Sequence, residues 1–251
     1  MLLIVGLVAF SMFRFVGDPI DNMLGQERTA ADVERLRTQL GLDQPFVVQY
    51  YKFLESAVQG NFGISYRQGR PVADILLERA PATLELAMVS GSLAILFGIS
   101  LGVFTAIRRN GFLANTIMSV SLIGVSLPTF LIGILLIYQF SVQLGWLPSF
   151  GRGQTVDLGG WTTGLLTESG LKALILPSIT LGLYQMTLIM RLVRSEMLEV
   201  LRQDYIRFAR ARGLRARTVN FRHALKNTLV PVVTVIGLQL GSIIAFAIIT
   251  E

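Results

Sequence analysis

Few side chains in this sequence could do covalent or acid–base chemistry. His223 is the single histidine and cysteine is absent, which removes thiolate nucleophiles, disulfides and Cys/His metal sites. No H-E-x-x-H pair and no G-x-x-x-x-G-K-[ST] phosphate loop occurs, so the chain carries neither of those metal or nucleotide motifs. His223, beside Arg222 and Lys226, reads as a surface or structural residue. The polar residues deep inside the apolar runs are neutral: Gln139, Gln185 and Gln239. An amide donates and accepts hydrogen bonds without exchanging a proton near neutral pH. The chemistry on offer is therefore recognition, not bond breaking. An unpaired amide in hydrocarbon is costly, so Gln185 and Gln239 must each face protein or water. Hydrogen bonding between helices and lining of a solute pathway both meet that requirement.

The elements that must hold these residues are apolar helices. Of 251 residues, 52% are hydrophobic and 15% charged, with mean hydropathy +0.60; soluble domains carry about 25% charged residues. A spanning helix needs roughly 20 apolar residues to cross a core about 30 Å thick. Five runs qualify or nearly do: Met1 to Val16, about Pro81 to Ile107, about Phe112 to Leu144, about Ala173 to Arg191 and about Thr228 to Thr250. Pro128 predicts a kink or interfacial turn in the third, whereas Pro81, Pro177 and Pro231 fall in expected first turns. The first run, 1–17, lacks the basic start of a signal peptide and reads as a spanning helix with a truncated start. The run ending at Thr250-Glu251 stops as abruptly.

Charge orders these runs across the membrane. The stretch 191–226 holds ten cations against three acids, and Arg108 and Arg109 precede the third run. By contrast 18–79 holds seven cations and nine acids, and 145–172 two of each. Basic loops face the cytoplasm, which puts 18–80 and 145–172 outside and explains the net charge of +6 without nucleic acid. The external 18–80 stretch should be a small helical cap: one helix from Thr29 through Leu36 and Leu40 to Gly41, a second over Pro45 to Val58 with a stripe of Phe46, Tyr50, Phe53 and Leu54, and a third over Pro71 to Leu77. Trp146 and Trp161 in the second external loop read as interface markers. Glu85 and Arg14, the ionisable residues of the runs, lie near their ends. Glycines four apart at Gly98 and Gly102, and again at Gly237 and Gly241, predict close helix contacts.

The cytoplasmic stretch predicts one helix over 196–213. Neither proline nor glycine interrupts Glu196 to Arg212, Leu198, Leu201, Tyr205 and Phe208 recur at helical steps, and Gly213 can end it with a left-handed cap. A short second helix, about Thr218 to Lys226, leads back to the last run. Such a helix could lie on anionic headgroups or dock in a partner's groove.

Within that stretch Asp204-Tyr-Ile-Arg-Phe-Ala-Arg-Ala-Arg-Gly213, then His223-Ala-Leu-Lys-Asn and Pro231-Val-Val-Thr, resemble the cytoplasmic signature of ABC-importer permeases. Ala209, Gly213 and Leu225 match its second alanine, glycine and leucine; Arg207, Phe208, His223 and Lys226 depart from it in the manner of the dipeptide, oligopeptide and nickel branch. Gly17-Asp-Pro19, Leu40 to Pro45, Gly60 to Ser65, Arg70-Pro-Val72, Pro81 to Leu86, Leu147-Pro148 and Leu176-Pro-Ser178 follow that branch in order, so the resemblance covers essentially the whole chain.

The resemblance implies an all-α inner-membrane permease, of a family with six spanning helices, that forms a solute path with a second, homologous permease subunit. A periplasmic binding protein would deliver the solute, and two ATPase subunits would drive transport. ATP and magnesium would then be bound by those partners and no cofactor by this chain. The coupling contact would involve Asp204, Tyr205, Arg207, Phe208, Ala209, Arg210, Ala211, Gly213 and Leu225. A secondary transporter or channel is the alternative. Such proteins tend to show ionisable groups at mid-membrane depth or inverted repeats, neither of which stands out in this sequence.

Overall fold

The computed structural model describes residues 1–15, 34, 38, 43–65 and 68–250, in two compact units, Met1–Ala80 and Pro81–Glu251. The expected helix from Thr29 to Gly41 and the Gly17-Asp-Pro19 stretch lie outside the described residues.

In the first unit, α1 (Leu2–Phe15) and α2 (Phe46–Val58) pack through aromatic rings. Phe10 meets Phe46, Tyr50 and Phe53 at centroid distances of 5.5, 5.7 and 5.5 Å. Those three residues recur at steps of four and three, one face of a helix. The Tyr50 hydroxyl donates to the Leu3 carbonyl at 2.6 Å. With 14 residues, α1 is about 21 Å long at about 1.5 Å per residue, short of a full crossing.

Helix α3 (Val72–Ile107, 36 residues) absorbs the 71–77 segment that the sequence sets apart. Pro81 lies inside it, as Pro177 does inside α6 (Glu168–Val200) and Pro231 inside α9 (Leu225–Thr250). The structure thus carries each helix back past its proline. One N–H is lost at each, but a proline's φ is already helical and packed apolar helices tolerate the gap. Helix α4 (Phe112–Ser126) breaks from α5 (Thr129–Leu136, prolonged by the π-helical turn Ile137–Gln143) at a 104° bend. Leu127 and Pro128 both take ψ 137°, because a residue before proline is driven out of the helical region.

Among the described residues three helical stretches, Val72–Ile107, Glu168–Val200 and Ala216–Ala247, are long and apolar enough to cross a membrane. The bent α4–α5 pair makes a fourth if counted as one broken span, against five apolar runs in the sequence.

Helix α6 is the centre of the second unit. A Cβ at Gly98 would come within 2.9 Å of Ile189 Cγ2, and one at Gly102 within 2.7 Å of Val193 Cβ and 2.8 Å of the Met190 carbonyl. Gly124 of α4 and Gly133 of α5 face Thr187 and Thr180 of α6 at 3.1 and 3.4 Å on the same measure. A Cβ at Gly237 or Gly241 of α9 would meet nothing within 4 Å among the described residues, so the close contact expected there is not made by them.

Beyond α6 the expected single helix 196–213 is broken. Helix α6 ends at Val200, Gln203 turns extended (ψ 149°), and α7 spans Asp204–Ala211. The turn re-phases the helix so that Ile206 and Ala209 join Val193, Met197 and Val219 in one buried cluster; tertiary burial overrides a locally uninterrupted pattern. The separate helix expected over 218–226 is the start of the final span: α8 (Ala216–Thr218) runs through the π-helical Val219–Ala224 into α9.

Candidate functional site

Helix α7 presents two faces. Ile206 is 0% and Ala209 7% exposed, whereas Tyr205 and Phe208 are 43% and 65% exposed. Asp204, Arg207, Arg210, Ala211 and Gly213 are exposed as well, and Leu225 is half-buried against the core cluster. Ala209, expected at a partner contact, therefore packs inside its own chain, and the outward anchors are the two aromatics. Asn227 Nδ2 donates to the Tyr205 hydroxyl at 2.9 Å, and the Arg212 guanidinium sits 5.8 Å from the Phe208 ring centroid. Gly213 ends the helix at φ +76°, with Leu214 N–H bonded to the Ala209 carbonyl and Gly213 N–H to that of Arg210. That paired pattern needs a left-handed residue, which glycine supplies without strain.

A second candidate lies at the α4–α5 break. A cavity of about 370 Å³ is walled there by Leu127, Pro128, Thr129, Tyr184, Gln185 and Phe246, among others. Gln185 is 2% exposed and its Oε1 has no hydrogen-bond partner among the described residues. Gln239, coupled with it in the sequence reading, is half-buried on α9, and Gln139 is exposed. Neither is among the residues lining the cavity.

A third cluster was hidden in the sequence. Glu85 on α3 is 1% exposed. Its Oε2 accepts from Arg152 Nη2 and the Gly164 N–H, both at 3.2 Å, and its Oε1 from Trp161 Nε1 at 3.3 Å. Arg152 also donates to the Thr162 hydroxyl at 2.9 Å and to the Thr162 carbonyl at 2.6 Å. Trp161 is thus a ligand of a buried carboxylate; Trp146 is exposed. The loop is shaped for this by a hairpin, β1 (Val156–Asp157) against β2 (Thr162–Thr163), whose tip is held by Asp157 Oδ1 accepting from the N–H groups of Gly159 and Gly160 at 3.0 Å. The Glu85 partners lie 67 to 79 positions away in the chain, so no local pattern could reveal them.

Neutral amides, a broken helix and an outward aromatic pair are the features that the described residues bring forward. Residues 98–251 match the family described as binding-protein-dependent transport system inner membrane component, and residues 1–87 match its N-terminal companion model. The chain belongs to this family. Three relatives cover 98% of this permease. The dipeptide transport system permease protein DppB of Alkalihalophilus pseudofirmus is 37% identical, with 78% of the relative covered. The di/tripeptide transport system permease protein DppB of Pseudomonas aeruginosa is 40% identical, again over 78% of its length. The glutathione transport system permease protein GsiC of Escherichia coli is 39% identical over 76% of its length. The permease is thus an all-α, multi-pass inner-membrane subunit of an ABC importer, and its relatives are transport subunits, not enzymes. The secondary-transporter alternative falls.

Proposed function

We propose that this permease carries di- or oligopeptides, or a similar small solute such as glutathione or a nickel chelate, past Gln185 and Gln239. A second permease subunit would complete the path. A periplasmic binding protein would load it, and two ATPase subunits holding ATP and magnesium would drive it. The dipeptide, di/tripeptide and glutathione transport for which its relatives are named supports the solute class. The surplus of cations in 191–226 supports a cytoplasmic position for α7 and an external one for 18–80. Cysteines introduced singly at Arg210 and at Gln39 should therefore be labelled from opposite sides of sealed cells.

The observation that carries the coupling role is the outward pair Tyr205 and Phe208 on a short helix whose opposite face is locked into the bundle. Large exposed aromatics on an otherwise charged segment mark a contact surface. Substitution at Ala209 would bury its effect in this chain's own core, so the test belongs on the aromatics. A Tyr205→Ala/Phe208→Ala variant that still inserts should lose ATPase co-purification and solute uptake by about tenfold or more, as truncating two anchors of about 1 kcal/mol or more each implies. Both staying at wild-type levels would return α7 to the surface of the lipid.

A further inference from the structure

We infer that the cavity beside the α4–α5 break binds a peptide group of the passing solute, which pairs with the side-chain amide of Gln185. This deepens the proposed function and rests on its reading of the solute as a peptide and of Gln185 as part of the path.

Polar groups near Gln185 mostly satisfy themselves. Thr180 and Thr187 donate to the carbonyls of Leu176 and Leu183 one turn back, and Ser90 on α3 does the same to Leu86. Such back-bonding is open to a hydroxyl on a short stem. Gln185 instead lines the cavity, and its buried Oε1 has no hydrogen-bond partner among the described residues. A second orphan on α6, Ser178 Oγ, is not part of that wall. Native proteins leave few buried polar groups unpaired, and an exception that lines a cavity is a candidate for pairing with what enters it.

The walls narrow the chemistry of that partner. Among the described residues lining the cavity none is charged, so a carboxylate or ammonium would enter without compensation. The helix break adds backbone groups: the last carbonyls of α4 and the first N–H groups of α5 have no intrahelical partner, and Pro128 has no N–H to offer. An amide side chain beside such groups complements a ligand that donates one N–H and accepts at one C=O, which is a peptide bond. A volume of about 370 Å³ falls at the small end of ligand cavities, about 300–1,000 Å³, and suits a peptide unit with its flanking side chains. Recognition by a neutral backbone group is indifferent to side-chain identity and to the distance between the charged termini.

The experiment compares uptake of dialanine with uptake of its ester analogue, in which oxygen replaces the peptide N–H. It uses the complete transporter with its binding protein, in wild-type and Gln185→Leu forms. Any discrimination by the binding protein is common to both, so the ratio of the two ratios reports the permease. The wild-type preference for the amide should shrink about tenfold in the variant, equivalent to about 1.4 kcal/mol and within the range for one hydrogen bond. An assembled variant with undiminished preference would overturn the proposal. If Gln185→Leu fails to assemble, the comparison is repeated with the closer-shaped Gln185→Met. Failure of both to assemble would make Gln185 a packing residue and overturn it too. Absence of any peptide uptake by the wild-type complex would instead sink the function proposed above.

Discussion

Helices α3 and α9 carry the same spacing of glycines and meet opposite surroundings. Gly98 and Gly102 lie under the side chains and backbone of α6, while a Cβ at Gly237 or Gly241 would meet nothing within 4 Å among the described residues. Within an apolar window of each stretch, 44% of the α3 residues are buried against 17% in the Ala216–Ala247 stretch, which holds most of α9. Small residues let backbones approach where van der Waals packing, not hydrophobicity, must drive association. The motif therefore says that a close approach is permitted, and only the fold says whether it is spent inside the chain. For α3 it is. For α9 no such approach is made among the described residues.

The sharpest way to break this contrast is to fill both sites. Gly102→Leu drives a side chain into the Val193 Cβ and the Met190 carbonyl. Its destabilisation should exceed about 3 kcal/mol, the upper end for ordinary overpacking, and appear as loss of folded permease from the membrane. A Gly102→Leu protein with the wild-type level and melting temperature would remove the argument for α3.

Next in size is the Glu85 cluster on α3. Glu85→Ala strands the Arg152 guanidinium and the N–H groups of Trp161 and Gly164. The cost expected is about 3 kcal/mol, the low end for breaking a buried pair, because Arg152 is partly exposed. Thermal unfolding in detergent should begin earlier, and the 145–167 loop should become open to added protease. Unchanged protection of that loop would show that the hairpin stands without Glu85.

Smallest should be the substitutions on α9. Gly237→Ala adds a methyl group where nothing waits and should be neutral or stabilising by up to about 1 kcal/mol, whereas Gly98→Ala should destabilise. Gly241→Leu should leave the subunit's own melting temperature in place yet weaken its association with the second permease. Association equal to wild type would assign the α9 face to lipid.

Much of the helical architecture was legible from one sequence because apolar length is a local signal. The bend at Pro128 was readable for the same reason, since proline acts on its immediate neighbour. The break after Val200 was not. No glycine or proline marks it, and its cause is the burial of Ile206 and Ala209 against Met197 and Val219, contacts that exist only once the chain has folded. The candidate sites divide along the same line. Gln185 stood out as an amide in an apolar run, whereas Glu85 looked like an ordinary end-of-helix carboxylate until Arg152, Trp161 and Gly164 were brought to it.

The seating of α7 has a mechanical consequence. Its inner face shares a single packed cluster with Met197 at the end of α6 and with Val219 and Ala224 at the start of the last span. Packed interiors are nearly incompressible and pass strain on rather than absorb it. A push delivered at Phe208 would therefore load the two long helices together, with Ile206 and Ala209 as the bearing surface. The π-helical Val219–Ala224 sits directly in that line of force. A wider turn carries one residue of slack per five-residue bond, so this is the point at which the last span can rotate without tearing the bearing apart.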